Sequence, residues 1–369
     1  MIILTIIAFI IIFSVLILVH EFGHFFMARK AGIKVEEFGI GLPPRIKPFF
    51  KDKKGTIYSL NWIPFGGFVR LFGEDAVDQK ILKDKESFAS KTIWQRTLVI
   101  LAGVFMNLVL AWAIITVGFS FGMKPFLVTQ EDLQAGIESG IVTTQQVLYV
   151  HEIVPNSPIS QSDLKPGDLI AEIDGQPVPE ADKFQELLGP DKNVNLKILR
   201  GEKDGMLNVT ADKEGKLGVV ISTEQVVLNV KEVKYPFYIA PVKAISEVGR
   251  LSVLTVKMLG KVVVSLVAKL TVPEGVAGPV GIAKMTNYFV KQGFMALLQF
   301  TALISISLGV INAMPFPALD GGRFLFIVYE IITRRKANAK MESIIHSIGF
   351  ALLMLLIVVI TWNDIVNLF

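Results

Sequence analysis

His20-Glu21-Phe22-Gly23-His24 closes an apolar run over residues 2–19, and that setting decides how the rest of the chain is read. Side chains four apart share one face of an α-helix, so His20 and His24 present two imidazoles to a single Zn2+. Glu21 then sits beside the ion, placed to take a proton from a bound water. The five-residue pattern recurs by chance, and it gains weight only from where it lies. An ionisable group at mid-bilayer depth costs about 2.5–3.5 kcal/mol on insertion scales, so three of them on a membrane helix demand a reason. The plain alternative is a helix that has already left the membrane by His20.

Composition supports the membrane setting. The 369 residues are 52% hydrophobic, with a mean hydropathy of +0.54, beyond the range of a soluble globular chain. There is no cysteine, which excludes disulfides and thiolate metal sites, so zinc must use histidine and carboxylate. The net charge of +4 is modest, and Lys and Arg flank the apolar runs. That distribution suits membrane topology and argues against a nucleic-acid partner. The first apolar run has no basic segment before it and no small-residue cleavage site after it, so it reads as a retained helix.

The fold class expected is a polytopic α-helical membrane protein with about four transmembrane helices, a membrane-associated β-hairpin and an inserted α+β domain. Apolar runs place the helices at about 2–27, 97–121, 293–313 and 343–361. Basic residues from Arg29 to Lys91 put the first connection in the cytoplasm, and His20 lies about 27 Å below Ile2, towards that side. Within this connection, residues 57–70 read as two short strands around Pro64-Phe65-Gly66-Gly67, giving a re-entrant hairpin over 57–73. Its free edge, with Gly66 and Gly67 at the turn, is expected to pair with an extended substrate. An ordinary interfacial hairpin is the alternative. Gly103 and Asn107 share a face of the second helix, the glycine permitting close helix approach and the asparagine needing a partner.

Four segments follow: 1–123 (first membrane part), 124–232 (inserted domain), 233–272 (interfacial helix) and 273–369 (second membrane part). In the second, alternating stretches at 147–154, 169–173, 193–199 and 217–221 surround a helical stretch at 180–188. Val154-Pro155-Asn156-Ser157-Pro158, Leu164-Lys165-Pro166-Gly167-Asp168 and Ile173-Asp174-Gly175 resemble a PDZ domain. Lys216-Leu217-Gly218-Val219 resembles that family's loop for a peptide C-terminus. A spacer with an unused groove is the alternative. In the third segment, Lys243, Glu247, Arg250, Lys257 and Lys261 form one helical stripe, as on a helix lying along the membrane surface. Gly278-Pro279-Val280-Gly281-Ile282 reads as a turn before the third membrane helix.

That helix ends in Asn312-Ala313-Met314-Pro315-Phe316-Pro317-Ala318-Leu319-Asp320-Gly321-Gly322-Arg323. Two prolines break it and leave extended backbone at membrane depth. Asp320 has only Arg323 nearby as a charge partner. If it meets His20 and His24, it completes a two-histidine, one-carboxylate set with a fourth position for water; a helix-capping role is the alternative. His151 and His346 read as ordinary polar positions.

Taken in order, the His20–His24 pattern, Gly103 with Asn107, the PDZ-like segment and Asn312…Pro315…Pro317…Asp320 resemble the site-2 protease family of intramembrane zinc metalloproteases. The likeness is closest to its bacterial RseP-type branch and spans nearly the whole chain. It implies one Zn2+ on His20, His24 and Asp320, with Glu21 as general base. It further implies Asn312, Pro315, Pro317 and Asn107 as substrate contacts, and cleavage of single-span membrane proteins such as anti-sigma factors or remnant signal peptides. The location implied is the bacterial cytoplasmic membrane, with the PDZ-like domain outside and the site facing the cytoplasm. One PDZ-like domain stands where well-known members carry two in tandem, a departure that weighs against a size-exclusion mechanism needing a paired gate. Competing classes are a zinc transporter or channel, a non-catalytic PDZ scaffold, and a prenyl-protein-type membrane protease whose distal ligand is a glutamate.

Overall fold

The computed structural model describes residues 2–74, 78–178, 180–200, 203–269 and 276–366. It divides into two units, one of Met1–Met123 with Lys234–Phe369 and one of Lys124–Val233.

The first unit opens with α1 (Ile2–Lys30), whose uninterrupted apolar residues leave Ile2, Ile3 and Ile11 exposed, as lipid-facing side chains must be. Arg29 and Lys30 end it, where cations favour the helix C-terminus. Two long bent strands follow, β1 (Val35–Lys51) and β2 (Ile57–Leu71). Their pairing corrects the hairpin expected over 57–73. The two arms of β2 do not pair with each other. Glu37 to Ile40 of β1 lie between them, partnered by Arg70 to Gly67 on one side and by Ile57 to Leu60 on the other. The rest of β1 returns along the outside, Arg45 opposite Asn61 and Lys51 opposite Ile57. β1 escapes a pattern-based reading because Pro43, Pro44, Pro48 and its charged residues conceal the alternation. One of those charges is internal. Glu37 is buried and accepts hydrogen bonds from Arg45 Nε at 2.9 Å and Ser59 Oγ at 2.6 Å.

After the short α2 (Gln79–Lys83), Thr92 and Gln95 form a capping box that starts α3 (Ile93–Phe121). The second unit then contains α4 (Gln130–Glu138), β3 (Val142–Ile153), β4 (Leu169–Ile173), β5 (Gln176–Pro177), α5 (Ala181–Leu187), β6 (Asn193–Arg200), β7 (Lys203–Thr210) and β8 (Val219–Val230). Its antiparallel sheet runs β7-β6-β4-β3-β8, with β5 on β4. Alternate residues of the strands, with Ile159, Phe184 and Leu217, fill one buried core.

The chain re-enters the first unit through α6 (Ala240–Lys269), which buries Ala240, Ala244, Val248 and Leu251 as one stripe. The stretch expected to be a turn at 278–282 instead opens a helix, α7 (Pro279–Lys291). Pro279 occupies the first helical position, where its missing N–H costs nothing. Asp364 Oδ2 accepts the Gly281 N–H at 2.8 Å. Then come α8 (Phe294–Ala313), α9 (Asp320–Thr333) and α10 (Ala339–Val366). Among the described residues, α1, α3, α8 and α10 are the four helices long and apolar enough to cross a membrane. The protein is a multi-pass membrane protein carrying an inserted α+β domain.

Candidate metal centre

Two helices must approach closely for the histidines to be enclosed, and glycines allow it. A Cβ on Gly23 would meet the Ala102 carbonyl carbon at 2.7 Å, so α1 and α3 approach backbone to backbone at the centre of the motif. His20 and His24 are 7% and 8% exposed there. Asp320 arrives from the other end of the chain. The strap 314–319 folds back over the first turn of α9, where a Cβ on Gly321 would meet the Ala313 carbonyl carbon at 2.6 Å and one on Gly322 the Phe316 carbonyl carbon at 2.8 Å. The N-cap of α9 is Leu319, so Asp320 is not the cap. Nor does Arg323 neutralise it. Arg323 pairs with Glu74 at 2.9 Å, and the Asp320 carboxylate turns to the histidines.

The convergence is tight. Asp320 Oδ2 lies 3.0 Å from His20 Nε2 and 3.3 Å from His24 Nε2, and the two Nε2 atoms are 3.1 Å apart. His24 Nδ1 donates to the Val99 carbonyl at 2.9 Å, so the Nε2 of the neutral ring carries a lone pair. Three ligand atoms, one each from His20, His24 and Asp320, face one another closely enough to share a single metal ion. Zinc bonds of about 2.0–2.1 Å in a tetrahedron separate ligand atoms by about 3.3 Å, close to the spacing present. Gly103 leaves the space clear, since a Cβ on it would lie 2.7 Å from both His20 Nε2 and His20 Cε1. The donor set and the space fit zinc.

Glu21 stands next to this cluster, its Oε2 accepting the Val69 N–H of β2 at 3.0 Å. The strand therefore aims the carboxylate. Val69 and Val99 enter through backbone groups, which no residue pattern announces. Gly66 and Gly67, expected at the turn that meets substrate, lie against α1. Their missing side chains face α1, where Cβ atoms would meet Ile17 Cδ1 at 2.8 Å and Leu18 Cδ2 at 2.6 Å, so packing accounts for them. Asn107, expected among the substrate contacts, is fully buried behind His20. Its Nδ2 lies 3.2 Å from His20 Nδ1, while its Oδ1 has no hydrogen-bond partner among the described residues. The reversed amide presents Oδ1 to an Nδ1–H and leaves His20 Nε2 open to metal, a second-layer contact that sets the tautomer. Asn312 lies in the last turn of α8, half-buried and with no side-chain hydrogen bond among the described residues, Pro315 is exposed, and Pro317 lies under Gly349 of α10.

Two imidazoles, a carboxylate and a neighbouring glutamate among membrane-length helices define a membrane-embedded metallohydrolase. Residues 8–356 match the model of peptidase family M50, and the chain belongs to that family. A putative zinc metalloprotease of Clostridium perfringens, CPE1693, is 36% identical over 96% of both chains. The regulator of sigma-W protease RasP of Bacillus subtilis is 29% identical over 99% of both chains. A solved PDZ domain of an SdrC-like protein from Listeria innocua aligns with 20% of this chain and 92% of that one, at 26% identity and a TM-score of 0.19. The protein is thus an intramembrane zinc metalloprotease of the M50 family.

Proposed function

We propose that this protease hydrolyses peptide bonds within the membrane-spanning segments of single-span proteins, anti-sigma factors or remnant signal peptides, at the bacterial inner membrane. The observation that carries it is the meeting of His20, His24 and Asp320 within 3.3 Å, with Glu21 alongside. The name of the B. subtilis relative supports the anti-sigma class. The basic ends of α1 and α9, at Arg29, Lys30, Arg334 and Arg335, favour a site facing the cytoplasm and a PDZ-type domain outside.

His20, His24 and Asp320 would hold the zinc, which when bound would polarise the scissile carbonyl and acidify a water. Glu21 takes the proton of the attacking water and passes it to the leaving amine. A transmembrane helix hides its peptide bonds in its own hydrogen bonds, so the substrate must open into an extended strand before attack. The outer edge of β2 at 67–71 receives that strand by β-addition, beside the Glu21 carboxylate that Val69 aims. Asn312, Pro315 and Pro317 line the opposite side, with the Asn312 amide free to bind substrate backbone. In the second unit, the Leu217 and Gly218 N–H groups donate to no acceptor among the described residues, which suits a peptide C-terminus.

The test is cleavage of model single-span substrates by purified protein in detergent. Wild type cleaves, a chelator stops it and zinc restores it. Glu21→Gln keeps its zinc and loses about 10²–10⁴-fold in turnover. Wild-type turnover by Glu21→Gln would refute the assignment.

A further inference from the structure

We propose that His346 of α10 is a positioning residue for the metal centre, holding the turn that aims Asp320. The proposal rests on Asp320 being a zinc ligand.

Ala318 stands two residues before Asp320 with φ +78, a left-handed conformation that residues other than glycine keep only when their surroundings impose it. Its N–H donates to His346 Nδ1 at 2.9 Å. That bond requires a lone pair on Nδ1, so it also sets the ring tautomer. The ring lies 5.6 Å from Phe326 of α9, the helix that Asp320 begins. Three residues further along the same face of α10, Gly349 lies on the strap itself, where a Cβ would meet the Pro317 carbonyl carbon and oxygen at 2.7 Å. Elsewhere α10 is largely exposed, and Gly349 is its one buried residue among those described. A helix that otherwise meets α7 near Asp364 thus places a hydrogen-bond acceptor and a bare backbone surface on 317–318. Inside the strap, only the Phe316 N–H to Met314 carbonyl bond at 2.7 Å and the Leu319 N–H to Phe316 carbonyl bond at 3.2 Å restrain the same turn. The acceptor on α10 selects the one strap conformation that delivers the carboxylate to both imidazoles.

Three replacements separate the hydrogen bond from the bulk of the ring. His346→Asn keeps an acceptor, Oδ1, near the place of Nδ1. His346→Gln carries its polar atoms one bond further out, and His346→Phe keeps the ring against Phe326 with no acceptor. Each full-length protein is titrated with a chromophoric chelator for zinc affinity, and kcat and KM are measured on a single-span substrate. The Phe and Gln variants are expected to bind zinc about 10–100-fold more weakly and to lose kcat with KM unchanged, while Asn stays close to wild type. Wild-type zinc affinity in the Phe variant, or an Asn variant as impaired as Phe, overturns the role. Asp320→Asn is the control, since wild-type zinc affinity there would overturn the ligand assignment beneath it instead.

Discussion

At Gly103 the centre has no room for a methyl group. Its Cβ would press on the His20 ring at 2.7 Å and on His24 Nε2. Gly103→Ala is therefore expected to keep the helices and lose at least about tenfold in zinc affinity, read by metal content after dialysis and by helical circular dichroism. Zinc retained at the wild-type level would show that the imidazoles can retreat. The residue identities of the centre were legible in advance because each had an energetic oddity: His20, Glu21, His24 and Asp320 are ionisable groups in apolar surroundings. Gly103 and Asn107 were legible as a pair on one face, but not as a space for an ion and a lock for a tautomer. Those roles depend on which side of α3 meets α1. Val69 and Val99 could not be found at all, because what they contribute is peptide N–H and C=O.

Among the elements, β2 is the one whose placement chemistry depends on. It lies along α1, with the Gly66 N–H on Ser14 Oγ at 3.3 Å and the Val69 N–H on Glu21. On Gly67 a side chain would meet Leu18 Cδ2 at 2.6 Å and the Gly39 carbonyl at 2.7 Å, one movable and one fixed by the sheet. Gly67→Val is expected to lift the strand off α1 at an overpacking cost of about 1–3 kcal/mol, abolishing cleavage while zinc content stays equimolar. Loss of zinc in this variant would count against it, since among the described residues no hydrogen bond joins His20, His24 or Asp320 to the strand. The membrane helices were readable from long apolar runs, whereas β1 was hidden by proline and charge. α7 was hidden because Gly-Pro starts helices as readily as it makes turns. In the second unit, Asp168 is buried and its carboxylate accepts Arg200 Nε and Nη2, both at 2.7 Å, and the Lys165 N–H at 2.8 Å. The Arg200 hydrogen bonds hold its pKa below the ordinary carboxylate value. A depressed folded pKa gives stability that is present above the unfolded value of about 3.9 and is lost as pH falls through the folded one. Protection factors of β4 and β6 amides in the full chain, with the intrinsic pH dependence of exchange divided out, should thus hold at pH 5 and fall below about 4. Arg200→Met is expected to lower stability at pH 7 and to flatten that acid dependence.

For the molecule as a whole, the question is which parts the metal centre needs. His20, Glu21, His24, Gly103, Asn107 and Asp320, with the strand and strap that aim them, all belong to the unit made of the two chain ends. The second unit is inserted between Met123 and Lys234, and the chain leaves and returns at nearly one point. The Tyr235 N–H donates to the Phe119 carbonyl at 2.8 Å, and the two rings meet edge to face at 5.4 Å. Insertions joined at neighbouring ends are the kind that can be removed without pulling the host apart. Replacing Lys124–Val233 by a short Gly/Ser linker is therefore expected to leave zinc binding and Glu21-dependent cleavage of a short, unstructured transmembrane model substrate near wild type. What the deletion should change is selection, so full-length single-span proteins with bulky outer domains and their trimmed forms should be cleaved at more similar rates. Equilibrium zinc affinity and the ratio of kcat/KM for trimmed and untrimmed substrate measure the two effects separately. A deletion variant that no longer holds zinc would show that the inserted unit supports the ligand geometry, because all three ligand residues belong to the other unit.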